Sequence, residues 1–239
     1  MTKKLITLFI IGRKLALSDA LNIISKVYEI PILIRFFFNL LGLFGKKTVS
    51  QNHNEEERLC RSIESMGITF IKLGQFLATR PDIIGEKLSD QLQTLQDKVP
   101  PFSKEVALNE ILEGIGNENY KDFTNISEPI AAASIAQVHK AQIKNDGILK
   151  DVAIKVLRPN IKKIFNDEIE ALMLLAYIIE TLVKKTKRLK LVEVVFLLKE
   201  ITNHEMDLRF EAAAANEFYE NTRNDVGFRI PKIYWKLTS

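Results

Sequence analysis

Two features of this chain have residue types suited to binding a charged ligand. The first is Lys155, which closes the apolar run Val152-Ala153-Ile154, where burial of an ammonium group without an anionic partner would be costly. The second is a stretch of small residues upstream, whose backbone N–H groups could approach phosphate oxygens closely. Together they predict a site for a phosphate-bearing ligand. The stretch consists of Ile130, Ala131, Ala132, Ala133, Ser134, Ile135, Ala136, Gln137 and Val138.

Each feature alone also has a plainer explanation. Most lysines at strand edges reach solvent, and a small-residue hairpin can simply pack against a helix. Their order is more specific, because protein-kinase folds cover ATP phosphates with a small-residue turn and pair them with a Val-Ala-Ile-Lys lysine. Alanines stand here where such loops carry glycines. Alanine enters the positive-φ region only at a cost, so we expect a stiffer turn with fewer conformations.

A third feature lies in the middle of a predicted helix, at Lys72-Leu73-Gly74-Gln75. Lys72 and Gln75 are three residues apart and share a helix face. Gly74 costs about 1 kcal/mol relative to alanine in a helix interior, which indicates close packing at that point. An ordinary polar helix face explains this segment equally well when it is taken alone.

The fourth feature is acidic and comprises Glu205, Asp207 and Glu211. Asp207 and Glu211 are four residues apart, so their like charges repel on one helix face. Lys155, Lys72 or a metal ion could relieve this repulsion. The alternative is a solvated acidic face.

The elements that would position these residues follow an α+β order, with helices, a three-strand meander and then more helices. The apolar period predicts one long helix over 55–80, which Pro81 stops, and a second helix with Leu88, Leu92 and Leu95 on one face. A third helix would be capped by Ser103 and end near Gly114. Two further helices are predicted over 161–184 and 191–221. The β-rich segments predict strands over 123–130, 135–143, 152–157 and 229–237, with a hairpin at 145–147.

Composition limits the classes of protein this chain could be. It has 239 residues, 46% of them hydrophobic, enough for one large or two small domains. The single cysteine excludes an intrachain disulfide, and three scattered histidines cannot form a His-based metal cluster. The net charge of +4 is spread over short basic pairs beside apolar runs, which suits an anionic lipid surface at least as well as nucleic acid. No zinc-finger, homeodomain or RNA-recognition signature is present.

The first fifty residues are apolar and helical in character. The run over 5–11 resembles a signal-peptide core but is short and lacks a convincing cleavage site. The run over 30–44 contains Arg35 and falls short of the ~18 uncharged residues of a spanning helix. We expect it to lie at a membrane interface or on the protein, and a buried helix is an equal alternative.

The ordered set of motifs over 55–239 resembles the UbiB/ABC1/ADCK/COQ8 family of atypical kinases, which is associated with ubiquinone biosynthesis. The matching segments are Phe70–Gln75 with Thr79–Asp82, Leu95–Pro101, the alanine-rich Ala132–His139, the lysine strand Val152–Pro159, and Glu205–Arg209 with Glu211, Ala212 and Asn216.

The resemblance implies a protein-kinase-like N-lobe with an antiparallel sheet and a helical extension. The implied domains are an apolar N-terminal region over 1–50, a KxGQ extension over 51–118 and the N-lobe over 119–239. It implies that Ile130–Val138 and Lys155 bind ATP with Mg²⁺. Glu211 would pair with Lys155, with Glu168 and Glu170 as the other candidate partners.

The family likeness also implies roles for the remaining polar residues. Lys72 and Gln75 would lie across the active site, with Lys72 near Glu205 and Asp207 in the same acidic motif. That arrangement would block protein substrates and favour ATPase or small-molecule chemistry. Ubiquinone-pathway lipids or enzymes would be partners. The location would be peripheral on the cytoplasmic side of the inner membrane, or its mitochondrial equivalent, held by the N-terminal helices, with no nucleic acid bound.

Kinase chemistry also needs a catalytic-loop Asp, an Asn five residues later and a DFG-type metal-binding Asp. The chain contains segments similar to these motifs at His204–Asp207 and at Asp225-Val226-Gly227. However, the residue five positions after Asp207 is Ala212 and not the required Asn. Too few residues separate Lys155 from Asp207 for the rest of a lobe. We therefore expect no catalytic or metal-binding residue here, a missing C-lobe and a truncated, split or decayed gene. The alternative is a non-catalytic remnant that binds lipid or a partner.

Overall fold

The computed structural model describes residues 2–18, 32, 36, 40–42, 55–95, 99–145 and 147–239. The chain forms two compact units, each built from two separate stretches of sequence. Unit 1 comprises Met1–Asp97 and Lys162–Glu200, and unit 2 comprises Lys98–Ile161 and Ile201–Ser239. The three sequence-based domains over 1–50, 51–118 and 119–239 remain a prediction. The apolar run over 30–44 lies mostly outside the described residues.

The described helices follow one another in the order that the apolar period predicts, although several boundaries differ. They are α1 (Thr2–Leu17), α2 (Glu55–Met66), α3 (Ile68–Ala78), α4 (Pro81–Ile84), α5 (Glu86–Leu92), α6 (Lys104–Tyr120), α7 (Ile161–Leu182), α8 (Leu191–Glu205) and α9 (Leu208–Thr222). Short 3₁₀ helices span Lys184–Leu189 and Trp235–Leu237. Within the described ranges, no helix has the length and apolar character that a membrane span requires.

The long helix predicted over 55–80 is wrong, because the chain breaks at Gly67. This glycine has φ +108°, a conformation that side-chain-bearing residues rarely adopt, and it separates α2 from α3. The helix also ends at Ala78 rather than at Pro81, and Pro81 instead begins α4. Pro81 fits there because the first turn of a helix needs no N–H donor from it.

Gly74 packs closely within unit 1, as its position in a helix interior predicts. A Cβ atom at Gly74 would lie 2.3 Å from Cδ1 of Leu95, and the glycine itself is buried. Leu95 lies beyond the end of α5 rather than on its face, although its side chain is buried as predicted. The missing side chain at Gly74 thus makes room for the segment that follows α5.

Unit 2 contains the sheet, whose four strands are all antiparallel. The strands are β1 (Phe123–Thr124), β2 (Pro129–Ala132), β3 (Ala136–Asn145) and β4 (Ile148–Leu157). Strands β1 and β2 pair in turn along one edge of β3, and β4 pairs along the other. The strand predicted over 123–130 is therefore two pieces, which form one row of a three-row meander.

The predicted hairpin at 145–147 is confirmed by the register of β3 and β4. Asn145 lies opposite Ile148, so only two residues connect the strands. Gly147 has φ +80°, which such tight connections require. The strand after it begins at Ile148 and is longer than the predicted 152–157.

Helix α6 begins where the sequence predicts, because the Ser103 hydroxyl accepts a hydrogen bond from the Val106 N–H at 3.4 Å. The predicted end near Gly114 is within two residues of a break, because the backbone of Gly116 is not helical and divides Lys104–Tyr120 into two helices. Gly116 has φ +79°, which ends the first of these helices, and a short helical segment continues to Tyr120.

The helix predicted over 191–221 is wrong as a single element. It breaks between Glu205 and Leu208, where Asp207 serves as the N-cap of α9. The predicted strand over 229–237 is also wrong, since this segment joins no sheet and ends in the turn Trp235–Leu237. Pro231 lacks an N–H group and cannot donate to a strand ladder. With these corrections, the α+β prediction is confirmed.

Candidate functional site

The Lys155 side chain meets Glu211 within unit 2. Strand β4 carries the lysine and the first turn of α9 carries the glutamate. Lys155 Nζ lies 2.5 Å from Glu211 Oε2, with 39% of the lysine side chain and 61% of the glutamate side chain exposed. An ion pair this exposed adds little stability. The pair directs the ammonium group towards the first turn of α9.

Glu168, an alternative partner for Lys155, belongs to unit 1 and has other partners there. Its carboxylate accepts a hydrogen bond from the Thr69 hydroxyl at 2.5 Å, and Lys14 Nζ lies 3.7 Å away. Glu170, the other alternative, also lies in unit 1 on α7. Of the three candidates, Glu211 shares unit 2 with Lys155 and contacts it.

The alanine-rich stretch forms the turn between β2 and β3. Ala132 lies opposite Gln137 in the sheet, and the Ala133 N–H donates to the Ala136 carbonyl at 2.8 Å. No residue over 130–138 has a positive φ. The turn closes without the conformations that favour glycine, so alanine costs nothing in this backbone.

The predicted members of this turn differ in what they offer a ligand. Ser134, Ile135, Ala136 and Gln137 are buried as whole residues, so neither their side chains nor their backbone groups are open to a ligand in this structure. Ile130 is 64% exposed and sits at a register shift between β2 and β3. Such bulges redirect a side chain relative to its neighbours. The remaining members, Ala131, Ala132, Ala133 and Val138, are half-buried or exposed.

Gln137 has a structural role that the sequence did not reveal. Its amide accepts from the Phe102 N–H at 3.0 Å and donates to the Phe102 carbonyl at 3.2 Å. Its Nε2 also lies 2.9 Å from His139 Nε2, and His139 Nδ1 lies 2.8 Å from the Ser127 carbonyl. Because a carbonyl only accepts, Nδ1 carries the proton and Nε2 accepts from Gln137. The chain of bonds fixes the segment before α6 to the sheet.

Arg158, directly after β4, is a second residue that the sequence reasoning missed. Its guanidinium donates to the Ala133 carbonyl from Nε at 3.1 Å and from Nη2 at 2.9 Å. Nη2 also reaches the Val99 carbonyl at 3.1 Å. Its position three residues after Lys155 was the one sequence feature that could have drawn attention to it. The local sequence does not identify the Ala133 and Val99 carbonyls as its hydrogen-bond partners.

A cleft of about 1280 Å³ opens beside the Lys155–Glu211 pair in unit 2. Strand β4, helices α6 and α9 and the segment 229–239 line it, together with Ile130 of β2, the one residue of the stretch 130–138 that does so. Lys140, Arg229 and Lys232 add positive charge to its wall, and Glu110, Glu113 and Asp151 add negative charge. Since acidic and basic residues balance in the wall, the cleft as a whole has no excess of positive charge, and Lys155 with the apolar lining is what it offers to an anionic ligand that has an apolar part.

The KxGQ and acidic residues lie in different units. Lys72 and Gln75 are half-buried on α3 of unit 1, whereas Glu205 and Asp207 belong to unit 2. The proximity of Lys72 to Glu205 therefore stays a prediction. Asp207 does not share a helix face with Glu211, because it precedes the helix and caps it.

The Asp207 carboxylate makes a compact local pair. It accepts from the Arg209 N–H at 3.2 Å and from the Arg209 guanidinium at 2.8 and 2.6 Å. The hydrogen bond to Asp207, and then its charge, raise the pKa of Arg209 above its ordinary value. The repulsion expected between Asp207 and Glu211 is thus relieved by a different cation for each carboxylate.

The residues that the structure describes contain no group of three or more His, Cys, Asp or Glu side chains placed to hold a metal ion. The Mg²⁺ that accompanies ATP in kinases therefore has no set of ligands that can be named in this part of the chain. Its participation stays a prediction.

Comparison with known proteins gives a consistent result. The family model described as "ABC1 atypical kinase-like domain" matches residues 94–239. The chain is 37% identical over 179 residues to a "Probable protein kinase UbiB" of Pseudomonas paraeruginosa, which covers 74% of this chain and 33% of the relative. Proteins of the same description from Marinobacter nauticus and Azotobacter vinelandii are 36% and 35% identical over 213 residues. No solved structure matches the chain.

These relatives are considerably longer than the chain, which spans between 33% and 39% of their lengths. The matched region contains the alanine turn, Lys155 and Glu211, together with the antiparallel sheet and helices of a kinase-like N-lobe. Family model and relatives agree with the residue motifs, and this chain belongs to the UbiB/ABC1 family of atypical kinase-like proteins.

Proposed function

We propose that this chain binds ATP through Lys155 and the alanine turn, as part of a UbiB-type kinase or ATPase that supports ubiquinone biosynthesis. The observation that carries the proposal is the ion pair between Lys155 and Glu211 at the edge of the cleft. A lysine held this way can pair with phosphate oxygens. Ala131, Ala132 and Ala133 are not buried, and their small side chains would permit close approach of a phosphate to the backbone there.

The cleft supports this proposal in size and character. Its volume of about 1280 Å³ exceeds the ~300–1,000 Å³ typical of small-ligand pockets, so a nucleotide would fit. Ile154, Ile230 and Tyr234 among its lining residues offer apolar surface to a base. Lys155 would hold the phosphates, while bound ATP would supply the phosphoryl group for transfer.

Turnover requires more than binding. The sequence after Asp207 has Ala212 where a kinase catalytic loop places its metal-binding Asn. We therefore propose that this chain binds nucleotide but hydrolyses none alone. Hydrolysis of ATP above background with Mg²⁺ would contradict that part of the proposal.

The test of nucleotide binding is a fluorescence titration of the full chain with MANT-ATP. Lys155→Met removes the ammonium group and should weaken binding about tenfold or more, as loss of one charge-assisted contact predicts. Lys150→Met is a matched control, because it lies on the same strand at an odd spacing and so faces the other side of the sheet. Equal affinity of the two variants for MANT-ATP would contradict the proposal that Lys155 binds the phosphates.

A lipid-binding role is the second candidate, and one observation in unit 1 favours it. Leu182 at the end of α7 is 72% exposed, and five basic residues follow within 184–190 without an acidic one. Lys187 and Arg188 of this segment are exposed. Basic residues near an anionic bilayer contribute roughly 1 kcal/mol each, and exposed leucine can enter the interface. A peripheral location on the inner membrane would follow from such binding.

Vesicle flotation distinguishes this second candidate. The full chain should float with phosphatidylcholine vesicles that contain phosphatidylglycerol and much less with phosphatidylcholine alone. The double variant Lys187→Glu, Arg188→Glu should reduce flotation strongly. Lys162→Glu, Lys163→Glu makes a similar charge change in the first turn of α7 and should have a smaller effect. Equal losses of flotation in the two double variants would show that vesicle binding depends on the net charge of the chain and not on the segment 184–190.

A further inference from the structure

Strand β4 lies at one edge of the sheet, and among the described residues it pairs with β3 alone. The register of this pair runs without a shift from the hairpin to the end of β4, where Ala136 lies opposite Leu157. In an antiparallel pair, the N–H and C=O groups of alternate residues point to the partner strand, and those of the residues between them point away. Every second residue of β4 therefore presents its backbone groups to the open side of the sheet.

The backbone groups on the open side belong to the odd-numbered residues of β4. The Arg158 N–H donates to the Ile135 carbonyl at 2.9 Å, so position 158 faces β3. Counting back in steps of two, positions 156, 154 and 152 also face β3, and the residues between them face away. In the described part of the chain, no hydrogen bond reaches the main-chain groups of these outward-facing residues, which are Asp151, Ala153, Lys155 and Leu157.

The cleft beside Lys155 follows this open edge. Seven consecutive residues of β4, 151–157, line it. Successive side chains of a strand point to opposite faces of a sheet, so a cleft on one face would be lined by every second residue. A cleft lined by all seven lies beside the backbone, in the plane of the sheet. At ~3.4 Å per residue it follows the strand for about 20 Å.

The opposite wall of the cleft is a second stretch of unpaired backbone. Residues 229–234 line the cleft one after another and belong to no helix or strand. Within the described chain, the main-chain groups of 229–233 have no hydrogen-bond partner. The sequence pattern over 229–237 predicts a strand, and a strand needs a neighbour with which to pair. The cleft lies where that neighbour would be, between this segment and β4.

We propose that this part of the cleft is a slot for an added β-strand, which bonds to β4 on one side and to 229–233 on the other. Strand addition is a common way to bind an extended polypeptide, in which main-chain hydrogen bonds give affinity and alternate side chains give specificity. The apolar face of β4 beside the slot comprises Val152, Ile154 and Val156. The added strand therefore carries apolar side chains at every second position.

The occupant is a strand from the part of a UbiB-type sequence that this chain does not span. Proteins cover or disrupt open strand edges, because such edges pair with other chains. Along 151–157 the edge has neither a proline nor a bulge, and no described strand covers it. The relatives share the fold, and this chain spans only 33–39% of their lengths. Their remaining sequence is thus the source of a strand that fits the slot.

This interaction goes beyond the proposed binding of ATP and is compatible with it. Side chains of a strand stand roughly perpendicular to the sheet, whereas an added strand lies in its plane. The Lys155 ammonium group is directed towards α9 and Glu211, so it lies outside the plane that the added strand occupies. The same residue can offer its main chain to the strand and its side chain to a phosphate.

The test combines the full chain with overlapping synthetic peptides from the Pseudomonas paraeruginosa relative, taken from the part that this chain does not match. Each peptide is long enough for a strand of ~5–6 residues. At least one peptide with alternating apolar residues should bind in fluorescence anisotropy, and a scrambled peptide of the same composition should not. NMR hydrogen exchange should then show slower exchange at Ala153, Lys155 and Leu157 and within 229–233. The amides of 152, 154 and 156 should change less, because they already face β3.

A proline in the open edge supplies the matched pair of variants. Ala153→Pro removes an outward-facing N–H and leaves the bonds to β3 in place, so it should weaken peptide binding about tenfold or more. Leu149→Pro is the control, because Leu149 is also an outward-facing, exposed residue of β4 but lies outside the cleft. Its effect on binding should stay below about twofold.

Each other outcome contradicts the inference. Absence of peptide binding overturns it, and so does binding that leaves the amides of Ala153, Lys155 and Leu157 unprotected. Equal losses of affinity for the two proline variants also overturn it. Should Ala153→Pro fail to fold, the exchange pattern of the unaltered chain decides. If sedimentation shows a dimer that Ala153→Pro dissociates, a second copy of the chain occupies the edge and the assigned occupant is wrong.

Discussion

The two turns of the sheet in unit 2 are held in different ways. The hairpin between β3 and β4 depends on a local device, since Gly147 adopts φ +80° and nothing lies within 4 Å of where its Cβ would be. The alanine turn between β2 and β3 contains no positive φ and is fixed by residues far away in sequence. Arg158 reaches it from 25 residues away, measured to Ala133.

The difference shows which residues determine the conformation of a turn. A glycine turn is encoded in its own two or three residues and tolerates changes around it. A turn without glycine obtains its shape from its neighbours, so substitutions elsewhere can change it. If the alanine turn binds phosphates, its binding strength can be altered without any change in the turn itself.

The largest effect should come from the buried amide that supports the alanine turn. Gln137→Leu would leave the Phe102 N–H and carbonyl and His139 Nε2 without their present partner. Buried polar groups without partners destabilise, so we expect a loss of about 2–4 kcal/mol in the free energy of unfolding. Urea unfolding followed by circular dichroism measures it.

Gln142→Leu is the control for this change, because Gln142 lies on the same strand but its bonds to Asn125 and Asp151 are exposed. Its loss should stay below about 1 kcal/mol. Equal losses in the free energy of unfolding for the two variants would mean that the buried contacts of Gln137 stabilise the fold no more than the exposed ones of Gln142.

A smaller effect is expected in the hairpin. Gly147→Ala should cost about 1 kcal/mol, because the left-handed backbone conformation disfavours a Cβ although space is available. Asparagine tolerates this region better, so Gly147→Asn should lose less. Urea unfolding of both variants provides the comparison, and a larger loss for asparagine than for alanine would contradict the explanation by φ alone.

The smallest effect concerns Asp151, which follows the hairpin. The hydrogen bond from Gln142 Nε2, and then the contact with Lys140, lower the pKa of Asp151 below its ordinary value. A carboxyl with a lowered pKa stabilises the fold above its unfolded-state pKa, and this contribution disappears as the pH falls through the folded value. NMR titration of the carboxyl carbon should show the low pKa, and Gln142→Leu should raise it. An unchanged value in that variant would assign the shift to Lys140.

Local signals in the sequence predicted the elements that local signals determine. Ser103 caps α6, and the 145–147 hairpin forms where Asn-Asp-Gly stands. The breaks at Gly67 and Asp207 were missed because the apolar period continues across both. The residue types at these two positions favour a helix boundary, since glycine often ends a helix and aspartate often caps one.

Contacts between distant segments could not be predicted from one sequence. Nothing in the local pattern joins Gln137 to Phe102, or Arg158 to Val99, across 35 and 59 residues. The spacing of Asp207 and Glu211 suggested a shared cation, but a cap position and a helical position point in different directions. Lys155 and Glu211 meet as the family resemblance implied, although 56 residues separate them.

The interleaving of the two units has a consequence for how the chain folds. Unit 1 uses Lys162–Glu200 as well as the first 97 residues, and Thr69 bonds Glu168 across 99 residues. On a ribosome that adds about 5–20 residues per second, α3 would wait roughly 5–20 s before α7 existed. During that interval the chain between them, with the whole sheet of unit 2, is made and released. The sheet, whose contacts are closer in sequence, therefore has the opportunity to fold first.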